Sequence, residues 1–329
     1  MIVDAHLHVW HSAQDYPNPR VSLLSPLSDA PLELLEDYMD ENEVERAVLV
    51  QPLYPGEDNS YVADCAAGQR DKFAAVCVVD PRTAGAADRL TYWIRERGCR
   101  GLRLRPGISG ESDIFGDPST FPLWEQAAAL GVVINILALP EHLATIGVLA
   151  ERFATVPIII DHMGHPDPTA GVEGAAFQAL LDLARLENVA VKVTGYGYYS
   201  KEGYPYTDCH PLFRALYQRY DAGRLIWGSD FPHVLLTCGY RRNLLLQERV
   251  YRFLKHALFV STDDFWRIQI VQAFQSVIAV DHSSVQIVEV ARCKSSSVER
   301  NHRTQIRWND RNRFQNHPRR VNGVEREGF

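Results

Sequence analysis

Ile2-Val3-Asp4-Ala5-His6-Leu7-His8-Val9-Trp10 is an apolar run in which Asp4, His6 and His8 alternate with hydrophobic residues. Residues two apart on a strand project to one face, so the spacing predicts three polar side chains together at a strand's end. Two imidazoles so placed make half of a metal site, although histidine also fills polar gaps in cores. Two later stretches repeat the form, Ile158-Ile159-Ile160-Asp161-His162 and Leu225-Ile226-Trp227-Gly228-Ser229-Asp230, each an apolar run that ends in ligand-type residues. Parallel strands lying side by side would bring these ends together.

Between those landmarks the chain alternates regularly. Apolar runs at 46–50, 73–79, 101–104, 132–137, 157–160, 189–193 and 225–227 are separated by amphipathic stretches near 32–39, 59–70, 86–97, 121–130, 140–153, 174–186 and 211–220. Counted from Ile2, this gives eight buried strands alternating with helices, the pattern of a parallel sheet. A single (β/α)8 TIM barrel, an α/β fold, is expected over residues 1–262. An open doubly wound sheet normally carries a glycine-rich turn after its first strand, where this chain has histidines. The barrel also accounts for the polar residues at the C-terminal ends of the strands: His6, His8, Gln51, Asp80, Arg105, His162, Thr194 and Asp230. His11 to Pro31, polar and proline-rich, is long enough to serve as a lid or substrate loop.

With 329 residues and 46% hydrophobic content, the chain can bury a large core. It contains no run of about 18 apolar residues, so no membrane span is expected. The His-x-His run starts too early to follow a cleavable secretory signal, which makes a cytoplasmic location the expectation. Six scattered cysteines without a C-x-x-C pair suit reduced thiols. A formal charge of −7 argues against nucleic acid as a partner, and the partner expected from the strand-end residues is a small-molecule substrate.

His6, His8, His162 and Asp230 are expected to meet at one mouth of the barrel. Three neutral imidazoles and a carboxylate suit one divalent ion, Zn²⁺ above all, with a position left for water. Asp230 could take a proton from that water and return it to the leaving oxygen.

At these residues the chain resembles the amidohydrolase superfamily, within it the amidohydrolase-related branch that holds sugar-lactone and 2-pyrone-4,6-dicarboxylate lactonases and metal-dependent decarboxylases. The matching pieces are Val3-Asp4-Ala5-His6-Leu7-His8, Gly101-Leu102-Arg103-Leu104, Asp161-His162-Met163-Gly164-His165-Pro166, Val191-Lys192-Val193-Thr194-Gly195 and Trp227-Gly228-Ser229-Asp230-Phe231-Pro232. His165 stands where the lactonases often have lysine. The resemblance implies His6, His8, His162 and Asp230 as the active-site set and hydrolysis of a small lactone as the reaction. It equally implies that the same residues can orient water without a metal, as some lactonases of the group do. Non-oxidative decarboxylation of a small hydroxy or aromatic acid is the alternative, and a barrel impaired by its altered C-terminus is a third.

Around that set, Arg103 and Arg105 alternate onto one face of the fourth strand, where a guanidinium can hold a substrate carboxylate through two parallel hydrogen bonds or form a structural salt bridge at the barrel rim, the latter favoured for Arg103, with Arg105 nearer the mouth. Tyr196 and Tyr198 belong to a tyrosine-rich loop suited to packing against a sugar ring or a flat acid. His233 is a further candidate acid, base or substrate contact, and Lys192, in mid-strand, reads as structural. From about Ser261 the sequence changes character: residues 291–329 carry nine Arg and one Lys against four acids, about +6, leaving about −13 for the rest. Residues 263–329 are therefore expected to be an atypical basic extension, frameshifted or unrelated to the barrel and largely disordered, with a basic arm for nucleic acid or another anionic partner as the alternative.

Overall fold

The computed structural model describes residues 2–11, 29–52, 57–106 and 114–250. Eight strands pair in parallel and in chain order: β1 (Val3–Leu7), β2 (Arg46–Val50), β3 (Phe73–Val78), β4 (Gly101–Leu104), β5 (Val133–Ile136), β6 (Ile158–Ile160), β7 (Val189–Val193) and β8 (Leu225–Trp227). The ends are drawn together just past β8, where the Asp230 amide donates to the His6 carbonyl at 2.8 Å and the His8 amide to the Phe231 carbonyl at 2.7 Å. The result is the expected (β/α)8 barrel.

Around the strands lie α1 (Leu32–Glu41), α2 (Ser60–Gly68), α3 (Ala86–Thr91), α4 (Phe121–Leu130), α5 (Leu143–Arg152), α6 (Ala175–Asp182), the single turn α7 (Tyr196–Tyr199), α8 (His210–Tyr220) and α9 (Tyr240–Val250). Their limits follow local chemistry. Proline in the first turn of α4 loses no needed donor, and Gly131 ends the helix in the left-handed region at φ 64°, its amide returned to the last turn. Three stretches expected as single helices are composite. The 86–97 stretch passes from α3 into a π-helical segment at Tyr92–Glu96, the 140–153 stretch begins as a 3₁₀ turn at Pro140–His142, and the 174–186 stretch ends as one at Leu183–Arg185. No described helix is long and apolar enough to cross a membrane.

Two apolar layers result. One lies between strands and helices; the other fills the barrel with Val3, Ala5, Val48, Val50, Val76, Val133, Ile159, Ala190 and Ile226. Asn135, Asp161 and Lys192 follow Val133, Ile159 and Ala190 by two residues, so the same inward faces turn polar toward the C-terminal mouth.

The first strand departs from strict alternation. Val3 and Ala5 take the inward positions, while the buried Asp4 carboxylate accepts from the Ser229 amide at 2.8 Å and from the Tyr240 hydroxyl of α9 at 2.9 Å. The pairing with β2 shifts register between Asp4 and Leu7, and this irregularity lets His6 reach the barrel interior although its parity differs from that of Ala5. Asp4 therefore anchors the β1–β8 junction instead of sharing a face with the histidines. Burial raises its carboxyl to about 6, opposed by hydrogen bonds from Ser229, Tyr240 and His6.

The junction is tight. A Cβ on Gly228 would stand 2.5 Å from the His6 Cβ and 2.7 Å from the His6 amide nitrogen. Gly228→Ala is expected to destabilise the protein by about 2 kcal/mol, the cost of forcing a methyl against backbone, and thermal denaturation of the two proteins measures it. The expected lid or substrate loop lies outside the described residues over 12–28, and so does the whole extension expected at 263–329.

Candidate active site

The mouth is lined by turns whose backbones are forced into unusual conformations. After β6 the chain turns at once, with φ of 52° at His162, 52° at Met163 and 54° at His165, and after β8 Asp230 sits at 61°. L-residues in the left-handed region are held there only by surrounding structure, and such strain gathers at functional sites. At Asp230 the hold is visible: its amide is bonded to His6, and the next amide, of Phe231, donates to the Ser229 hydroxyl at 3.0 Å. Gly195, at φ 75°, lets β7 end directly against the His162 ring; a Cβ there would approach Nδ1 to 2.8 Å.

These turns bring His6, His162 and Asp230 together with ligand-type atoms all within 4.8 Å of one another. His8 joins through Nε2, 3.4 Å from Asp230 Oδ1, and His6 Nε2 lies 3.7 Å from the same oxygen. All four are buried. His8 Nδ1 is 2.8 Å from the Val50 carbonyl, which can only accept, so the ring proton is on Nδ1 and Nε2 presents a lone pair. His162 Nδ1 meets the Thr194 hydroxyl at 2.5 Å, and the Thr194 carbonyl accepts from the Tyr199 hydroxyl at 2.8 Å.

A donor set of this kind fits a divalent ion. His6 Nε2 and Asp230 Oδ1 are buried without hydrogen-bond partners among the described residues. A neutral His8 turns an imidazole lone pair toward a carboxylate lone pair, a contact that a cation or a proton between them makes favourable.

Electrostatics keeps the groups in working protonation states. Burial drives His6 well below the usual imidazole range, with the Asp161 charge opposing, and drives His162 down to about 3. Burial alone would raise the Asp230 carboxyl, but His162, His8 and His6 hold it below the usual carboxylate range. Beneath lies an ion-paired layer: Asp161 meets Lys192 at 3.2 Å, Arg103 Nε at 3.0 Å and His6 Nδ1 at 3.3 Å. Burial again works against the Asp161 charge, and Lys192, His6 and Arg103 together hold its carboxyl well below the ordinary range.

The remaining expected residues are placed at varied depth. Arg103 is buried and engaged with Asp161, away from the opening. Arg105 is half-buried just past β4. It stands near Asp80, whose carboxyl is lowered first by hydrogen bonds from Arg82 and further by the Arg105 charge. Tyr196 is buried and stacks on Tyr206 with ring centroids 5.9 Å apart. Tyr198 is 48% exposed, and its hydroxyl donates to Asp230 Oδ2. The His233 ring lies 5.7 Å from that of His8. Tyr196, Tyr198, Asp230 and His233 all line one pocket beside the site. Asp161 and Asn135 received no role from the sequence. Their signal was a polar residue on an otherwise apolar buried strand, which must find a partner inside.

A parallel barrel with buried imidazoles and a carboxylate converging at its C-terminal mouth defines the class: a barrel enzyme with a metal-type donor set. Residues 3–261 match the family described as amidohydrolase, and the chain belongs to it. It is 31% identical over 236 residues to an L-fucono-1,5-lactonase of Burkholderia ambifaria, covering 70% of this chain and 80% of that one. It is 33% identical over 230 residues to a 4-sulfomuconolactone hydrolase of Rhizobium radiobacter, covering 70% and 75%. An amidohydrolase of Burkholderia multivorans, solved with bound zinc, shares the fold with a TM-score of 0.66 at 22% identity over 78% of this chain and 95% of that one.

Proposed function

We propose that the enzyme hydrolyses a small lactone, with Asp230 as the base that activates water. The observation that carries this reading is the Asp230 carboxylate, kept ionised below its usual range and set 3.4 Å from His8 Nε2 and 3.7 Å from His6 Nε2. Two relatives of about one-third identity that act on lactones support the substrate class.

Asp230 Oδ1 accepts the proton of the attacking water and returns it to the ring oxygen as the acyl C–O bond breaks. The buried imidazoles of His6, His8 and His162 fix the water and the carbonyl relative to that oxygen. The Tyr198 hydroxyl holds Asp230 by Oδ2 and leaves Oδ1 facing the imidazoles. A divalent ion held by His6, His8, His162 and Asp230, zinc by the chemistry of the donors, would supply a lowered water pKa and a polarised carbonyl.

Substrate recognition falls to Arg105, Tyr198 and His233 around the opening. Arg103 acts through Asp161 and Tyr196 through its stack on Tyr206, so both shape the site from behind. Arg105→Met is expected to raise KM for a carboxylate-bearing lactone about tenfold while kcat changes little, and to leave a neutral aldonolactone unaffected. Steady-state kinetics on both substrates is the check. The overall reading is tested by following acid release from aldonolactones and pyrone acids alongside carbon dioxide release from aromatic hydroxy acids. Acid release alone is expected; carbon dioxide without acid release would transfer the site to decarboxylation.

A further inference from the structure

His6 and His8 stand two residues apart, yet their rings are wired in opposite senses. His8 donates from Nδ1 to the Val50 carbonyl at 2.8 Å, which leaves Nε2 bare. His6 Nδ1 instead lies 3.0 Å from the Lys192 ammonium nitrogen. An ammonium offers three donors and no acceptor, so His6 Nδ1 accepts and the ring proton belongs on Nε2.

Lys192 is well fixed for this task. It is buried, donates to Asn135 Oδ1 at 2.7 Å and pairs with Asp161 Oδ1 at 3.2 Å. The same Asp161 oxygen, however, also stands 3.3 Å from His6 Nδ1. One ring nitrogen thus has a donor on one side and an acceptor on the other, and the two favour opposite tautomers.

We propose that Lys192 is a positioning residue that selects the Nε2–H tautomer of His6 against the pull of Asp161 when no ion is bound, making His6 a hydrogen-bond donor in that state and weakening, without removing, its hold on a divalent ion. The proposal rests on the reading of His6 as a site residue. In this state His6 Nε2–H faces Asp230 Oδ1 across 3.7 Å and can turn to a substrate carbonyl. A divalent ion needs the Nε2 lone pair, so binding it requires the ring proton to pass to Nδ1 and the bond there to change from Lys192 to Asp161. Lys192 and the ion therefore compete for His6, while His8, wired through a backbone carbonyl, stays ready for the ion throughout.

The test uses the full chain, stripped of metal and labelled with nitrogen-15 in histidine, with the His6 signals assigned through His6→Gln. Nitrogen shifts report which ring nitrogen carries the proton. In the unsubstituted protein His6 is expected as Nε2–H and His8 as Nδ1–H; His6 found as Nδ1–H would overturn the proposal without any Lys192 variant. Lys192→Met, nearly isosteric, is expected to move His6 to Nδ1–H and to tighten zinc, titrated against a chromophoric chelator, about tenfold, the scale of contacts that orient a ligand. Lys192→Arg, which keeps a donor and a charge, should restore the original spectrum. Tighter zinc with His6 still Nε2–H in Lys192→Met would mean that charge removal alone acts, and would also overturn the proposal. Neither readout involves a lactone, so a failure here is separate from a failure of the lactonase reading.

Discussion

Asp230→Asn is expected to lower kcat/KM for lactone hydrolysis about a hundredfold or more, with the melting temperature little changed. The amide keeps the size of the side chain and can still accept from Tyr198, whose hydroxyl bonds Oδ2 in the parent. It cannot take a proton. Because substrate positioning by Arg105 and the tyrosine loop is untouched, the loss should fall on kcat more than on KM. The parent's pH profile follows from the same carboxylate. A base whose carboxyl is lowered stays ionised, and competent, until the pH falls through that lowered value, so the acid limb of kcat/KM should lie below the ordinary carboxylate range of about 4. His162, at about 3, stays neutral over the working range. An acid limb near 6 would assign the base to an ordinary histidine instead.

The second large effect concerns metal. His6→Ala combined with His8→Ala removes two of the four donors and should leave little divalent ion in the purified protein. Asp230→Asn should retain more of it, because the histidines remain. Elemental analysis of the three proteins, with activity before and after a strong chelator, measures this. A fully active enzyme holding far less than one ion per chain and indifferent to the chelator would assign the reaction to the metal-free form of the same site. In that form the Asp230→Asn loss persists, since proton acceptance by the carboxylate does not depend on the ion.

Much of this was legible in the sequence because barrels write their architecture in a simple code. Runs such as Ile158–Ile160 and Val189–Val193 are buried on both faces, as the strands of a covered parallel sheet are. His6, His8, His162 and Asp230 were readable because each interrupts or ends such a run. What could not be read was how the strands present their residues. The register shift in β1 separates Asp4 from the histidines and makes it the anchor of the β1–β8 junction, a change that strict alternation cannot reveal. Arg103 can be read from sequence as a substrate ligand or as one half of a structural salt bridge, with no partner visible. Its partner Asp161 lies 58 positions away in the chain, and the pairing exists only once β4 and β6 share an interior. Likewise Lys192 and His6, 186 positions apart, meet only across the barrel, so a residue that sequence reads as structural proves to touch the site directly.

The central claim is that water attacks a lactone carbonyl at Asp230, and the most direct measurement is to run the reaction in water labelled with heavy oxygen and weigh the product. A single labelled oxygen in the new carboxylate of the ring-opened acid, formed by the parent enzyme and about a hundredfold more slowly by Asp230→Asn, is the predicted result. Label in the new hydroxyl, or an unlabelled product accompanied by carbon dioxide, would contradict it.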